Sequence, residues 1–205
     1  MNRIAVIGAG GHAREVTETL VTLGTAPESI SYYVDGKFLG EASALSPALD
    51  IEELALHLEK PDSYLAVGDG ALRESFQQRL GDSVSYPNLI HPSSIIGSNC
   101  LLGIGTQVHQ FATVTANVRI GRFAQLNIYA GISHDCIIGD FFTASPKASV
   151  SGNVKIGNHV FLGPASAVLP DITICDHVVI GAGAVVTKDI MKPGTYFGIP
   201  ARKIK

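Results

Sequence analysis

From Ile90 onward every sixth residue is aliphatic: Ile90, Ile96, Leu102, Val108, Val114, Ile120, Leu126, Ile132, Ile138, Ala144, Val150, Ile156, Leu162, Val168, Ile174, Ile180 and Val186. Ala144 alone departs from Ile, Leu or Val, and no insertion breaks the register. A period of six matches neither the 3.6 of a helix nor the simple alternation of a strand. It is the repeat of a parallel β-helix, in which one hexad makes a short strand and a turn. Four residues after each aliphatic position stands a mostly small or apolar residue, such as Ser94, Cys100, Thr106, Ala112, Ala124, Ala130, Cys136 and Ala148, expected to point inward as well. The position following the aliphatic one favours glycine, at Gly97, Gly103, Gly121, Gly139, Gly157, Gly163 and Gly181, where the chain is expected to bend without a Cβ in the way. Three hexads close a triangular coil of eighteen residues, and coils stack about 4.8 Å apart.

Residues 1–82 follow another pattern. Arg3 to Ile7 reads as a buried strand, His12 to Leu23 as an amphipathic helix and Ile30 to Val34 as a second strand, a βαβ opening. Asp50 with Glu53 resembles a capping box for a helix from Ile51 to Leu58; Tyr64 to Val67 reads as a third strand and Ala71 to Leu80 as another helix. The stretch 83–89, containing Pro87, is the expected linker. The chain thus divides into an α/β domain with a parallel sheet over 1–82 and an all-β domain over 90–205 that ends in a short tail.

Composition agrees with a turn-rich β protein: of 205 residues 46% are hydrophobic and 16% charged, with 22 glycines and no Trp. Fifteen Lys plus Arg against eighteen Asp plus Glu give a net charge of −3 without a long basic run, which argues against a nucleic-acid partner. The apolar run Ile4 to Ile7 is too short for a signal peptide or a membrane span, so a cytoplasmic protein without membrane insertion is expected. Cys100, Cys136 and Cys175 lack the spacing of a zinc site or a disulfide framework. Cys100 and Cys136 share an inward column two coils apart, about 9.6 Å by strand spacing, too far for a bridge.

The turn Gly8-Ala9-Gly10-Gly11-His12-Ala13 lies between the first strand and helix, where backbone amides and a helix N-terminus can hold a phosphate. Gly8, Gly10 and Ala13 also satisfy a dinucleotide pattern, and Asp35 ends the second strand where it can accept ribose hydroxyls. NAD stays open from the turn alone. A domain of 82 residues supplies only half of a six-stranded dinucleotide fold, so a mononucleotide or nucleotide-sugar fits better.

In the repeat, His134 is placed at a corner, and its neighbours one coil away are the small residues Ala116 and Gly152. A neutral imidazole with open space beside it suits general-base work on an amine or hydroxyl. His91 and His109 share an outward column in adjacent coils, but a zinc site would want a third converging ligand, and no metal is expected. His159 and His177 are expected as surface residues at corners, and His57 has no evident role. Lys188, Lys192, Arg202 and Lys203 form a basic cluster that can meet phosphates or solvent.

Taken in order, Gly8-Ala9-Gly10-Gly11-His12, then Gly68-Asp69-Gly70 near Arg73, then Ser133-His134-Asp135-Cys136-Ile137-Ile138-Gly139-Asp140, and the closing Gly198-Ile199-Pro200-Ala201-Arg202 resemble one family. It is the bacterial sugar O- and N-acyltransferases, which include sialic acid O-acetyltransferases and N-acetyltransferases of nucleotide-linked 4-amino-4,6-dideoxy sugars. The resemblance implies a half-Rossmann nucleotide-binding domain, a left-handed winding of the β-helix and a homotrimer with acetyl-coenzyme A between two subunits. His134 is then the general base and Asp135 its partner; Thr143, Gly152, Pro164, Ala182, Lys188 and Arg202 face the coenzyme. Gly8, Gly10, Gly11, His12, Asp35, Gly36, Gly68, Asp69 and Arg73 face the nucleotide-sugar. Two departures are Thr143, where the family often has a second His, and Gly36, where it often has a second acidic residue. The implied reaction is N-acetylation of a nucleotide-linked amino sugar for surface glycans; the alternatives are O-acetylation of a sugar and, more distantly, a metal-dependent β-helix hydratase or a non-catalytic scaffold.

Overall fold

A computed structural model describes residues 4–40, 47–56 and 60–204. Two compact units divide it, Met1–Leu89 and Ile90–Lys205.

In the first unit β1 (Ile4–Ile7), β2 (Ile30–Val34), β3 (Leu49–Asp50) and β4 (Asp62–Leu65) form a parallel sheet in the order β3-β2-β1-β4. Ile4 pairs with Ile30 on one side and with Asp62 on the other. β4 begins two residues before the expected Tyr64, because pairing with β1 recruits the polar Asp62 and Ser63. β3 has no sequence signature: two residues are too few to show a period, and only pairing with Tyr33 and Val34 makes them a strand. α1 (Gly11–Thr22) packs Ala13, Val16 and Leu20 against Val6, Ile30, Tyr32 and Tyr64. α2 (Ile51–Leu54) is shorter than expected; its cap is Asp50, which accepts from the Glu52 N–H at 3.1 Å. His57 and Leu58 lie outside the described residues. α3 (Gly70–Leu80) is capped by Asp69, which accepts from the Leu72 N–H at 2.9 Å. In the stretch 83–89, Ser85 exchanges backbone hydrogen bonds with Ser63 and Pro61, so that stretch is tied to β4 at its start.

The second unit is a left-handed parallel β-helix, mostly of two-residue strands, sorted into sheets of five, eight and six strands, with partners eighteen residues away until the last coil, where Gly194–Phe197 also pairs antiparallel with Arg202–Lys203. From Val108 to Val186 the expected aliphatic column is fully buried, and the second column joins it from Ala112 to Ile190. Ala144 is no gap. Phe142, two residues before it, is the aromatic exception in the small column, so a large and a small residue trade volume within one core.

The corners differ from expectation in one respect. Left-handed backbone falls three residues after the aliphatic position, at Asn99, Phe111, Asn117, Phe123, Tyr129 and onward, with φ between 55° and 61°. The glycines one residue after that aliphatic position answer to crowding instead. A Cβ on Gly139 would stand 2.6 Å from the Gly157 carbonyl carbon and 2.7 Å from the Asn158 nitrogen. Asn158 is there because its Oδ1 accepts the Asp140 N–H at 2.8 Å, as Asp176 does for Asn158. Gly139→Ala therefore presses a methyl on backbone that cannot yield, and should destabilise by about 1–3 kcal/mol, seen as a lower melting temperature with the same secondary structure.

His159 is half-buried and not a bare surface residue. Its ring stacks between Phe141 at 5.1 Å and exposed His177 at 4.9 Å, continuing a stack from Phe123. His109 is 1% exposed, so its column is not open to solvent at that coil, while His91 accepts the Ser93 N–H at Nδ1. All three cysteines are free; Cys136 is buried and its thiol donates to the Ser151 carbonyl at 3.1 Å.

Candidate active site

His134 follows the strand Gly131–Ile132 at the edge between the six-stranded and five-stranded sheets. Its Nδ1 lies 2.7 Å from Asp135 Oδ2. The imidazole is 64% exposed and the carboxylate 51%. Hydrogen bonds from His134 and then from Asn117 hold the Asp135 carboxyl below the usual carboxylate range. An ionised carboxylate only accepts, so the hydrogen bond assigns the proton to Nδ1 and leaves Nε2 with a lone pair. The ring lies flat over Gly152 one coil on: a Cβ there would stand 2.5 Å from Cε1 and 2.6 Å from Nε2. The absence of a side chain at 152 is thus what gives this imidazole its place.

The other coenzyme positions fall into separate groups. Lys188, two residues past Val186, occupies the same edge as His134, three coils along, about 14 Å by strand spacing. Pro164 and Ala182 are exposed on a different edge, between the eight-stranded and six-stranded sheets. Thr143 lies on the eight-stranded sheet, opposite the His134 edge, and is 2% exposed. Arg202 is exposed on the last strand, Arg202–Lys203. One chain therefore gathers His134, Asp135, Gly152 and Lys188 on one edge and leaves Thr143, Pro164, Ala182 and Arg202 elsewhere.

In the first unit a pocket of about 270 Å³ is lined by Gly8, Ala9, Gly10, Val34, Asp35, Phe38, Val67, Leu72 and Phe76. Its floor needs Gly8, whose φ is +122° and where a Cβ would stand 2.7 Å from the Ala66 carbonyl oxygen. Gly10 and Gly11 lead into α1, whose first turn holds no acidic residue, so its N–H groups present an unopposed positive end. His12 is paired with Glu15 at 3.2 Å. Asp35 stands at the rim in an ion pair with Arg79, which also reaches Glu52. Gly36 is fixed by Asp50: a Cβ at 36 would lie 2.5 Å from its Oδ2, so a carboxylate comes from Asp50 and none from position 36.

Arg73 lies beneath the surface. It is 1% exposed, burial pushes its guanidinium down to about 9, and it donates to the carbonyls of Val67 and Gly68 at 3.0 and 2.9 Å. Its buried guanidinium holds the carbonyls of the 67–68 loop, of which Val67 lines the pocket. Gly68 and Asp69 belong to that loop, Asp69 as the α3 cap. The sequence gives no hint of Arg79, Phe38, Leu72 and Phe76, since a helix-face residue and a loop aromatic look like solvated surface and core. Asn117 was within reach: it is eighteen residues before Asp135.

Comparisons with known proteins agree with both units. Residues 3–80 match the PglD N-terminal domain family, and residues 153–188 match the bacterial transferase hexapeptide family (six repeats). Over 113 residues the chain is 30% identical to UDP-N-acetylbacillosamine N-acetyltransferase of Bacillus subtilis; the match covers 53% of this chain and spans about half, 51%, of that enzyme's length. The solved acetyltransferase domain of PglB from Neisseria gonorrhoeae is 30% identical with a TM-score of 0.89, covering 100% of both chains. PerB from Caulobacter crescentus, solved in complex with CoA and GDP-perosamine, is 28% identical with a TM-score of 0.91, covering 100% of this chain and 98% of that one. No helix among the described residues is long and apolar enough to cross a membrane.

Proposed function

The chain belongs to the bacterial sugar acyltransferases of the hexapeptide-repeat superfamily, and from that premise we propose that it transfers an acetyl group from acetyl-coenzyme A to the amine of a nucleotide-linked amino sugar. The observation that carries this reading is the exposed His134 with Nδ1 tied to Asp135 and Nε2 over Gly152, in a chain similar along its whole length to sugar N-acetyltransferases. The nucleotide occupies the pocket of the first unit, its base among Val34, Phe38, Leu72 and Phe76, its phosphates toward Gly10, Gly11 and His12.

The chemistry then follows from the residues. The sugar amine attacks the thioester carbonyl while Nε2 of His134 takes its proton; Asp135 stabilises the imidazolium that results. The oxyanion needs a donor, and the Gly152 N–H, with no side chain beside it, serves. Collapse breaks the C–S bond, the new amide stays on the sugar, and the imidazolium returns its proton to the departing thiolate. No covalent acyl-enzyme is needed.

The coenzyme runs along the His134 edge, with Lys188 within reach of its phosphates. Because Thr143, Pro164, Ala182 and Arg202 lie off that edge, the reading that uses them places the coenzyme between two copies of the chain in a homotrimer. An acetyl-coenzyme A substrate places the work in the cytoplasm.

The test is release of free thiol from acetyl-coenzyme A with UDP-, GDP- and dTDP-linked 4-amino sugars, beside the matching 4-hydroxy sugars. The expected outcome is fast release with at least one amino sugar and none with its hydroxyl counterpart. Release with no amino sugar, or equal release with the hydroxyl sugar, overturns the proposal.

A further inference from the structure

The edge that carries His134 also carries a ladder of amides. Asn99, Asn117, Asp135, Asn153 and Asp171 stand one coil apart, all with left-handed backbone. Asn99 Nδ2 donates to Asn117 Oδ1 at 3.2 Å, and Asn117 Nδ2 donates to Asp135 Oδ1 at 3.2 Å. The same contact recurs from Asn153 to Asp171 at 2.7 Å. At Asp135 the second oxygen turns sideways to His134. Left-handed corners do not require amides, since the equivalent positions of another edge are Phe111, Tyr129, Lys147 and Ala165.

We propose that Asn117 is a positioning residue for His134, acting through Asp135, with Asn99 setting the orientation of the Asn117 amide. The inference rests on the reading of His134 as the general base. An imidazole that is 64% exposed has little packing to hold it, so its direction depends on the carboxylate it leans on. That carboxylate is itself half exposed and free to rotate unless its other oxygen is held. The Asn117 NH₂ holds it. Asn99 donates to the Asn117 oxygen, and this fixes which end of the amide faces Asp135; the reverse orientation would set oxygen against carboxylate oxygen. The other charged groups around the dyad are Arg119 and Lys155, which flank Ile137 on the adjoining sheet, and Asp171 and Lys188 farther along the edge. The two oxygens of the Asp135 carboxylate go instead to Asn117 and His134.

The experiment compares Asn117→Ala, Asn117→Asp and, as a control on another edge, Asn158→Ala, with pH profiles, KM for acetyl-coenzyme A and melting temperatures. Asn117→Ala is expected to lower kcat by about tenfold, a fraction of the loss for a missing base, with KM for acetyl-coenzyme A unchanged. Asn117→Asp removes the donor and sets a carboxylate against the Asp135 carboxylate, so kcat is expected to fall at least as far as in Asn117→Ala, again with KM for acetyl-coenzyme A unchanged. Asn158→Ala also loses a coil-to-coil bond and should melt lower, with the rate profile in place. Wild-type kcat in both Asn117 variants overturns the proposal, as does an Asn158→Ala enzyme with the same kinetic change. If Asn117→Ala does not fold, kcat and KM of Asn117→Asp decide alone. An inactive His134→Ala beside normal Asn117 variants sinks only this proposal; an active His134→Ala sinks the base assignment and this proposal with it.

Discussion

Replacing His134 by alanine is expected to cut acetyl transfer by about 10²-fold or more, measured as thiol release at saturating amino sugar and acetyl-coenzyme A. The fold should not notice. The ring is exposed, hydrogen-bonds an exposed neighbour and fills no core volume. The loss is chemical: with Nε2 gone, the amine has no acceptor for its proton as the C–N bond forms. The same logic fixes the pH dependence of the wild-type enzyme. A ring already protonated at Nε2 cannot take that proton, so the reaction needs the neutral imidazole. Asp135, held below the usual carboxylate range by His134 and Asn117, keeps its charge to lower pH than an ordinary carboxylate, so the partner of the imidazole persists as pH falls. A His134→Ala enzyme with unchanged turnover would remove the base from the mechanism.

The second large effect is expected at Gly152, where alanine should reduce kcat by at least about tenfold while the melting temperature stays near wild type. The new methyl would sit 2.5–2.6 Å from the imidazole. What it meets is the end of a side chain, which can swing away at little cost to the coil. Swinging away breaks the 2.7 Å bond to Asp135 and misdirects Nε2. Gly139 makes the contrast, since its methyl would meet backbone and strain the fold without touching the dyad. Measuring kcat and melting temperature for both variants separates the two cases; equal stability losses with equal activity would refute the assignment of Gly152 to the site.

How much of this was legible in the sequence depends on whether a residue's role is set by its own coil or by its neighbours. The aliphatic columns were legible from Ile90 to Val186, because the inward direction repeats every six residues and nothing interrupts it. That His134 lies over the small Gly152 was legible for the same reason, once eighteen is taken as the distance to the next coil. The glycines were found but explained by the wrong cause, because crowding from the coil above is invisible in one hexad; only Asn158 leaning over Gly139 reveals it. In the α/β unit, α1 and β2 followed their hydrophobic periods. β3 did not, since a two-residue strand exists only through its partner. Arg73 enters the sequence reading only through the resemblance, and its burial and its bonds to the Val67 and Gly68 carbonyls come from a loop fold that no local pattern shows. Arg79 and its reach to Asp35 join residues 44 apart, a distance no local pattern spans.

The constant offset of eighteen residues between stacked strands has one more implication. An edge built this way is a graduated scale, with a notch of about 4.8 Å per turn of chain. His134 and Lys188 stand three notches apart. A donor molecule of fixed reach from its sulfur to its phosphates can be matched to such a scale only in whole steps, so adding or deleting one turn between them would not loosen the fit gradually but miss it by a full graduation.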